Sequence, residues 1–211
     1  KRLEQKHEEL GRDLDDERRR YLEREGLQVV AEATDGREAV TLAHTHKPDV
    51  VVLDLMMPLL NGLEAGRDIL QNRDASAAIL LTMHTQEHQI AAALKAGIRG
   101  YLLKTQAAED LVKAIRDVLR GEIYLSPGVS RIVVDSYLAG SQPGSDPLAP
   151  RERQVLQLVA EGKTSKEIAA ILGLTVKTAE SYRARVMEKL DLHETAALVR
   201  GSHQLGFGAS A

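Results

Sequence analysis

The sequence contains no cysteine and no tryptophan, and it has a single phenylalanine. Without cysteine the chain can form neither disulfides nor cysteine-based zinc sites, which fits a reducing compartment. Because only 3% of the residues are aromatic, we expect a core built mostly from aliphatic side chains.

Long apolar runs are also absent. Runs such as residues 50–53 are far too short to cross a bilayer, and the charged residues 1–8 lack the apolar stretch of a signal peptide. The chain is 43% hydrophobic and 28% charged, which is typical of soluble globular proteins. The composition therefore predicts a cytoplasmic protein with no membrane partner.

The charge is unevenly distributed over the 211 residues, a length that suits one large domain or two small ones. Residues 1–150 carry 19 basic and 24 acidic side chains, whereas residues 151–211 carry 9 and 7. This asymmetry favours two domains, with nucleic acid as a candidate partner of the second. On its own it is weak evidence.

From residue 27 onwards the chain alternates short apolar runs with helical patterns. Continuous apolar runs are typical of parallel strands that are covered on both faces. The alternation predicts an α/β fold with a doubly wound parallel sheet. The predicted strands are Leu27–Ala31, Asp49–Leu53, Ala78–Thr82 and Gly100–Leu103, and the predicted helices are Arg37–His46, Gly62–Gln71, Gln86–Ala96 and Ala107–Arg120.

Residues 141–147 consist of turn-forming residues and contain no apolar anchor, so they are the clearest linker in the chain. A short helix is predicted just before them, at Ser130–Leu138, and the chain after them is helical in pattern. We therefore divide the chain into a first domain at 1–121, a linker with a short helix at 122–147, and an all-α second domain at 148–211.

Within the second domain, Thr164 and Glu167 form a capping box that opens one helix. Gly173 supplies a turn, and Thr175 can cap the next helix, which should run to about Leu190. Two helices joined in this way form a helix-turn-helix candidate over residues 165–184. A fourth helix is predicted at 195–203.

The helix after Thr175 has two distinct faces at about 100° per residue. Val176, Ala179 and Val186 lie on the inner face with Met187 and Leu190, and the outer face carries cations and short hydroxyl side chains, as a helix in the major groove of DNA would. From the pattern alone, an ordinary solvated helix face is an equally good explanation. The outer face and its margins comprise Lys177, Thr178, Glu180, Ser181, Ala184, Arg185, Glu188 and Lys189.

Three stretches of the second domain closely resemble the LuxR-type DNA-binding domain: residues 148–156, 160–169 and 175–178. The resemblance spans about 148–206. It implies a four-helix module that binds duplex DNA with its third helix and dimerises through its fourth. It also implies that Lys177 and Thr178 contact backbone phosphates, and that three side chains lie nearest the bases, namely Glu180, Ser181 and Ala184.

Two further predictions concern Arg183 and Ala149 of this domain. Arg183 falls on the inward side of the third helix by the same angular count, so we expect an internal ion pair with Glu152. Ala149 stands where the family usually has a hydroxyl cap, a difference that should cost about 1 kcal/mol of helix stability.

In the first domain, Asp54, Thr82 and Lys104 each follow a predicted strand. Ligand sites in open α/β sheets lie at the carboxyl ends of the strands. A carboxylate nucleophile, a hydroxyl and an ammonium group could together accept and hold a phosphoryl group. Each residue alone is unremarkable, since an aspartate after a strand is usually a turn former, but their order along three strands favours a common site.

The stretches 54–58 and 101–104, together with Gly62, Thr82 and residues 96–97, resemble a receiver domain of response regulators of the NarL/FixJ type. The resemblance spans about 21–121 and implies a flavodoxin-like sheet of order 2-1-3-4-5. It also implies phosphorylation of Asp54 by a sensor histidine kinase with a Mg²⁺ requirement. Thr82 and Tyr101 would be switch residues, and Lys104 would contact the phosphoryl oxygens.

The N-terminus departs from this family. The family begins with an apolar strand that ends in an acidic pair holding Mg²⁺, whereas residues 1–25 predict a heavily charged helix. The first strand is thus missing or replaced by a helix, and Asp54 is the only metal ligand that can be named. A Mg²⁺ cofactor is therefore doubtful. An altered N-terminus, a rearranged sheet and a strand from another chain all remain open explanations.

Three functions follow from these patterns. The leading one is a homodimeric transcription regulator that binds duplex DNA and is switched by phosphorylation of Asp54. The second is a DNA-binding regulator whose degenerate receiver domain no longer takes part in phosphotransfer. The third is an aspartyl-phosphate hydrolase, which would need a second acid near Asp54; Met56 and Met57 offer none, so we do not expect an enzyme.

Overall fold

A computed structural model describes residues 19–83, 86–106, 108–138 and 148–190. The chain builds one α/β unit with a parallel sheet and one helical unit. The α/β unit contains α1 (helical residues 19–24), α2 (Gly36–His46), β1 (Val50–Asp54), α3 (Gly62–Gln71), β2 (Ala77–Thr82), α4 (Glu87–Lys95), β3 (Gly100–Leu103), α5 (Ala108–Leu119), β4 (Tyr124–Leu125) and α6 (Pro127–Leu138). The helical unit contains α7 (Pro150–Ala160), α8 (Ser165–Leu172) and α9 (Val176–Lys189).

The sheet has four parallel strands in the order β1-β2-β3-β4. Asp54 at the end of β1 is in register with Leu81, and Thr82 at the end of β2 is in register with Leu103. The carboxyl ends of the first three strands therefore meet at one edge of the sheet. The candidate phosphoacceptor site was predicted from the sequence at this edge.

Both faces of the sheet are covered, which explains why the strands are apolar without alternation. Along β2, Ala78 and Leu80 face the cluster formed with α2, α3, α4 and α6, whereas Ala77 and Ile79 face the cluster formed with α5. Ile79 and Leu80 are fully buried, and each such side chain contributes about 1.5–3 kcal/mol by leaving water. Helices on both faces confirm the predicted α/β fold class.

The predicted strand Leu27–Ala31 is not formed: residues 27–33 have no strand structure. Leu27 packs against the same core cluster as Val50 and Val52, but the segment forms no ladder with β1. A strand needs a backbone partner, and in the family order the missing first strand would lie between these two segments. Among the described residues, β1 pairs only with β2.

The helix ends in the helical unit follow the local chemistry that the sequence predicts. The Thr164 hydroxyl accepts from the Glu167 amide at 3.3 Å, and the Glu167 carboxylate accepts from the Thr164 amide at 2.8 Å. Gly173 takes the left-handed conformation with φ 65° at the end of α8. Thr175 caps α9 through the Thr178 amide at 3.2 Å. The capping box, the turn and the third helix are confirmed.

Two predicted helices lie partly or wholly outside the described residues. The charged helix at 1–25 is seen only as helical residues 19–24, and the fourth helix of the second domain, at 195–203, falls beyond residue 190. The short helix before the linker begins three residues earlier than predicted, at Pro127. The two-residue strand β4 was not predicted, because so short a strand has no periodicity to detect.

Candidate functional site

Asp54 lies at the carboxyl end of β1, and both of its carboxylate oxygens have partners. Oδ2 accepts from Lys104 Nζ at 2.5 Å, and Oδ1 accepts from the Met56 amide at 3.0 Å. The side chains of Asp54 and Lys104 remain 31% and 29% exposed. The carboxylate is thus oriented by its neighbours and is still accessible from solvent.

The backbone places Lys104 opposite Asp54. The Leu55 amide donates to the Leu81 carbonyl at 2.8 Å, and the Lys104 amide donates to the Thr82 carbonyl at 2.8 Å. The residues that follow β1 and β3 therefore lie at the same carboxyl edge of the sheet, on either side of β2. The lysine side chain is long enough to reach across β2 to the carboxylate.

Thr82 at the end of β2 and Tyr101 in β3 are almost completely buried. Burial raises the pKa of Tyr101 to about 12, and the nearby Thr82 side chain partly offsets that rise in pKa. Of the four residues predicted for the phosphoacceptor site, Asp54 and Lys104 form an ion pair at the sheet edge, and Thr82 and Tyr101 are buried in the neighbouring strands β2 and β3.

The loop that follows Asp54 returns closely over the end of β1. The Gly62 amide donates to the Leu55 carbonyl at 3.1 Å. A Cβ at position 62 would lie 2.3 Å from the Asp54 carbonyl oxygen, so only glycine fits there. Gly62 thereby fixes the start of α3 against the residue that carries the candidate nucleophile.

Receiver domains in general bind Mg²⁺ for phosphorylation, and the described residues do not fit that ion. No three His, Asp or Glu side chains converge anywhere in the described parts of the chain. Asp54 already binds Lys104, so a dication would have to displace an ammonium group from a single carboxylate. Mg²⁺ prefers near-octahedral oxygen coordination, which this donor set does not offer.

The second candidate site is the outer face of α9. Ala179 and Val186 are buried in the core of the helical unit, which turns the opposite side of the helix to solvent. The exposed residues of α9 include Lys177, Glu180, Ser181, Ala184, Arg185, Glu188 and Lys189, and Thr178 is half-buried beside them. Met187 and Leu190 are half-buried on the inner face, as predicted. Val176, also predicted for the inner face, is 43% exposed because it is the first residue of α9 and lies outside the core of the helical unit.

Charged contacts on this helix differ from the prediction in one respect. The partner of Glu152 is Lys189, whose Nζ donates to the carboxylate at 2.6 Å, whereas Arg183 donates to the Ser165 hydroxyl at 3.3 Å. The expected pair of Glu152 with Arg183 is wrong, because the angular count fixes the side of a helix but not the reach of a side chain. Burial alone would raise the pKa of Glu152, but Lys189 and the Ala149 amide lower it below its ordinary value.

The contact of α7 with the loop after Asp54 was not predicted from the sequence. Arg153 and Gln157 are both buried, and their partners lie in the α/β unit. Polar side chains within an otherwise apolar helical stripe were the available signal. Sequence spacing could not reveal which part of the chain they contact.

No helix among the described residues is long and apolar enough to cross a membrane.

Two families match the chain. Residues 13–116 match the response regulator receiver domain, and residues 146–201 match the bacterial regulatory proteins of the luxR family. A receiver domain followed by such a domain defines a class of protein, the two-component response regulators.

Individual proteins agree with this class. The chain is 37% identical to the oxygen regulatory protein NreC of Staphylococcus epidermidis over 184 residues, which is 83% of this chain and 84% of that protein. It is 36% identical to the response regulator UvrY of Escherichia coli over 178 residues, covering 83% of this chain and 82% of that protein.

Among solved structures, RcsB of Salmonella enterica serovar Typhimurium, bound to promoter rprA with phosphomimetic BeF3−, matches with a TM-score of 0.60. The match has 30% identity and covers 86% of this chain and 89% of that one. The chain therefore belongs to the response regulators of the NarL/FixJ type, which are DNA-binding transcription regulators.

Proposed function

We propose that the protein binds promoter DNA under the control of a phosphoryl group that a sensor histidine kinase transfers to Asp54. The contact of Asp54 with Lys104 carries this proposal, because it places a carboxylate nucleophile and an ammonium group together at the carboxyl edge of the sheet. The residue types and the receiver-domain match support the same chemistry.

In the transfer, an Asp54 carboxylate oxygen forms a bond to phosphorus while the bond from phosphorus to the donor breaks. The donor, a phosphohistidine, keeps that electron pair as a free imidazole nitrogen. The Lys104 ammonium can then pair with the new phosphoryl oxygens. Thr82 and Tyr101, buried behind the site, are the proposed switch residues. The protein is then a switch rather than an enzyme.

On the DNA side, we propose that α9 enters the major groove. Lys177 and Thr178 would contact phosphates, and Arg185 and Lys189 would add positive charge beside them. Lys189 would have to exchange its bond with Glu152 for a phosphate contact. The residues proposed to lie nearest the bases are Glu180, Ser181 and Ala184.

The remaining parts of the proposal concern the whole chain. We propose a receiver domain over residues 1–121, a linker over 122–147 and a DNA-binding domain over 148–211. The protein would act in the cytoplasm as a homodimer, since helix-turn-helix proteins read two half-sites with two copies.

A labelling experiment tests the phosphoacceptor. The chain is treated with acetyl phosphate and the added phosphoryl mass is located by mass spectrometry. We expect label in the parent and in Asp49→Asn, a matched aspartate just before the same strand, and none in Asp54→Asn. Equal labelling of Asp54→Asn would refute the assignment.

Within the part of the chain that the structure describes, no carboxylates converge near Asp54, which favours a second candidate, a regulator that binds DNA without phosphorylation. We expect weak Mg²⁺ binding, with amide shifts near Asp54 that do not saturate at sub-millimolar metal; such saturation would contradict this expectation. A gel shift that is unchanged by acetyl phosphate or by Asp54→Asn would favour the second candidate over the first.

A further inference from the structure

Helix α9 follows the turn of the helix-turn-helix, so its N-terminal half is the part that reaches base edges in the major groove. Four residues of that half are exposed: Lys177, Glu180, Ser181 and Ala184. Their spacing of three and four residues places them on one continuous strip of the helix. We call these four residues the α9 reading face. The hydrogen-bonding groups of this face decide which bases it can contact.

The hydroxyl groups near the start of α9 are already bonded within the protein. The Ser181 hydroxyl donates to the Lys177 carbonyl at 2.9 Å, and the Thr175 and Thr178 hydroxyl oxygens are 2.8 Å apart and share a hydrogen bond. A hydroxyl group has a single hydrogen to donate. Ser181 can therefore accept a hydrogen bond from a base but has none left to donate.

Glu180 is the strongest acceptor of the α9 reading face. It is exposed, and among the described residues its carboxylate has no hydrogen-bond or ion-pair partner. An ionised carboxylate accepts hydrogen bonds and donates none. Ala184 adds only a methyl group, so Lys177 is the one donor of the face. The centre of the face thus consists of acceptors and a methyl group.

Few groups of DNA can bind such a carboxylate. The phosphates are anionic and repel it. In the major groove, guanine presents the acceptors N7 and O6, and thymine presents the acceptor O4 and a methyl group. Only the amino groups at cytosine N4 and adenine N6 can donate to Glu180.

Adenine is the poorer of these two partners. In the major groove, the N6 amino group of an A·T pair lies between two acceptors, adenine N7 and thymine O4. The N4 amino group of a C·G pair has an acceptor on one side only, guanine O6. A carboxylate that binds N6 therefore brings its second oxygen close to a lone pair, whereas one that binds N4 can avoid this repulsion. The α9 reading face matches cytosine better than any other base.

We infer that Glu180 specifies a cytosine in each half-site of the promoter, an inference that rests on the proposed function. Glutamine at this position would present a donor together with an acceptor, which matches N7 and N6 of adenine. Alanine would present neither and would select no base. The identity of residue 180 thus predicts the identity of one base pair.

A selection experiment with the full chain tests this inference. The parent and its variants are treated with acetyl phosphate and select binding sites from a pool of randomised duplexes, which are then sequenced. Glu180→Gln and Glu180→Ala lose the same charge, so only their hydrogen-bonding groups distinguish them. The control is Glu122→Gln, which makes an equal charge change at an exposed residue of the α/β unit.

We expect the half-sites selected by the parent to share a cytosine, and Glu180→Gln to select adenine at that position of the same strand. Glu180→Ala should select no particular base there, the rest of the site should stay unchanged, and Glu122→Gln should select the parent's site. In gel shifts, replacing this C·G pair by T·A should weaken binding by the parent about tenfold and should change binding by Glu180→Ala little.

The outcomes separate this inference from the proposed function. A selected site that neither Glu180 variant alters would overturn the inference and leave DNA binding intact. A parent that selects adenine, guanine or thymine at the base that responds to residue 180 would overturn it as well. A parent that selects no site from the pool would contradict promoter binding itself, and the inference would fail with it.

Discussion

At the scale of single residues, the site joins side chains that are distant in sequence. Asp54 and Lys104 are 50 positions apart and meet because parallel strands end at one edge of the sheet. That meeting could be predicted from residue types at predicted strand ends. The second partner of Asp54, the Met56 amide, could not, because it depends on the exact path of the loop.

Tyr101 gives a prediction for stability at high pH. The pKa of its phenol is about 10 in the unfolded chain and about 12 in the folded protein. Its contribution to stability is complete below pH 10 and is lost as the pH rises towards 12. In that interval the free energy of unfolding should fall by about 1.4 kcal/mol per pH unit.

Urea denaturation across that pH range measures the effect. Tyr101→Phe should lose less stability between pH 10 and about 12 than the parent does, whereas Tyr137→Phe, at a residue that is 84% exposed, should follow the parent. An identical pH dependence in Tyr101→Phe would show that the phenol does not titrate as described.

At the scale of elements, the N-termini of α7 and α8 in the helical unit differ in a capping hydroxyl group. Thr164 completes a capping box with Glu167. The Ala149 amide donates to the Glu152 carboxylate at 2.8 Å, but alanine has no side-chain oxygen to accept a hydrogen bond from the Glu152 amide. Thr164→Ala should lower the free energy of unfolding by about 1 kcal/mol, and Ala149→Ser should raise it by a similar amount. Urea denaturation checks both, and a destabilising Ala149→Ser would contradict the capping argument.

Helix α9 gives a prediction for DNA binding. Lys177→Ala combined with Arg185→Ala should weaken promoter binding and reduce the slope of log affinity against log salt by about two, because each cation lost leaves one phosphate unneutralised. Lys95→Ala with Arg131→Ala makes the same charge change at exposed positions of the α/β unit and should leave binding unaltered. Equal binding by both double variants would remove α9 from the DNA interface.

Strands and helices were not equally predictable. Helix α3 and strand β3 were predicted to the residue, because glycine and apolar periodicity mark their ends. Residues 27–33 have a strand-like sequence and still form no strand. Strand formation requires a neighbour, and a local sequence pattern cannot report whether the neighbour exists.

At the scale of the whole molecule, the buried pair of Arg153 and Glu64 connects the two units. Arg153→Met should destabilise the protein by about 3 kcal/mol, because it removes a buried cation from the buried Glu64 carboxylate. Glu64→Leu together with Arg153→Met should cost less than the two single changes summed. Additive costs in urea denaturation would mean that the pair does not form.

The sequence by itself determined the local structure and the chemistry: an aliphatic α/β unit, capped helices, a carboxylate and an ammonium at strand ends, and a cationic helix face. Each of these depends on residue type and short-range spacing. Only the tertiary structure decided that residues 27–33 form no strand, that Lys189 rather than Arg183 reaches Glu152, and that α7 contacts the loop after Asp54. These features depend on which distant segments come together in space, and the spacing of residues along the chain does not specify those contacts.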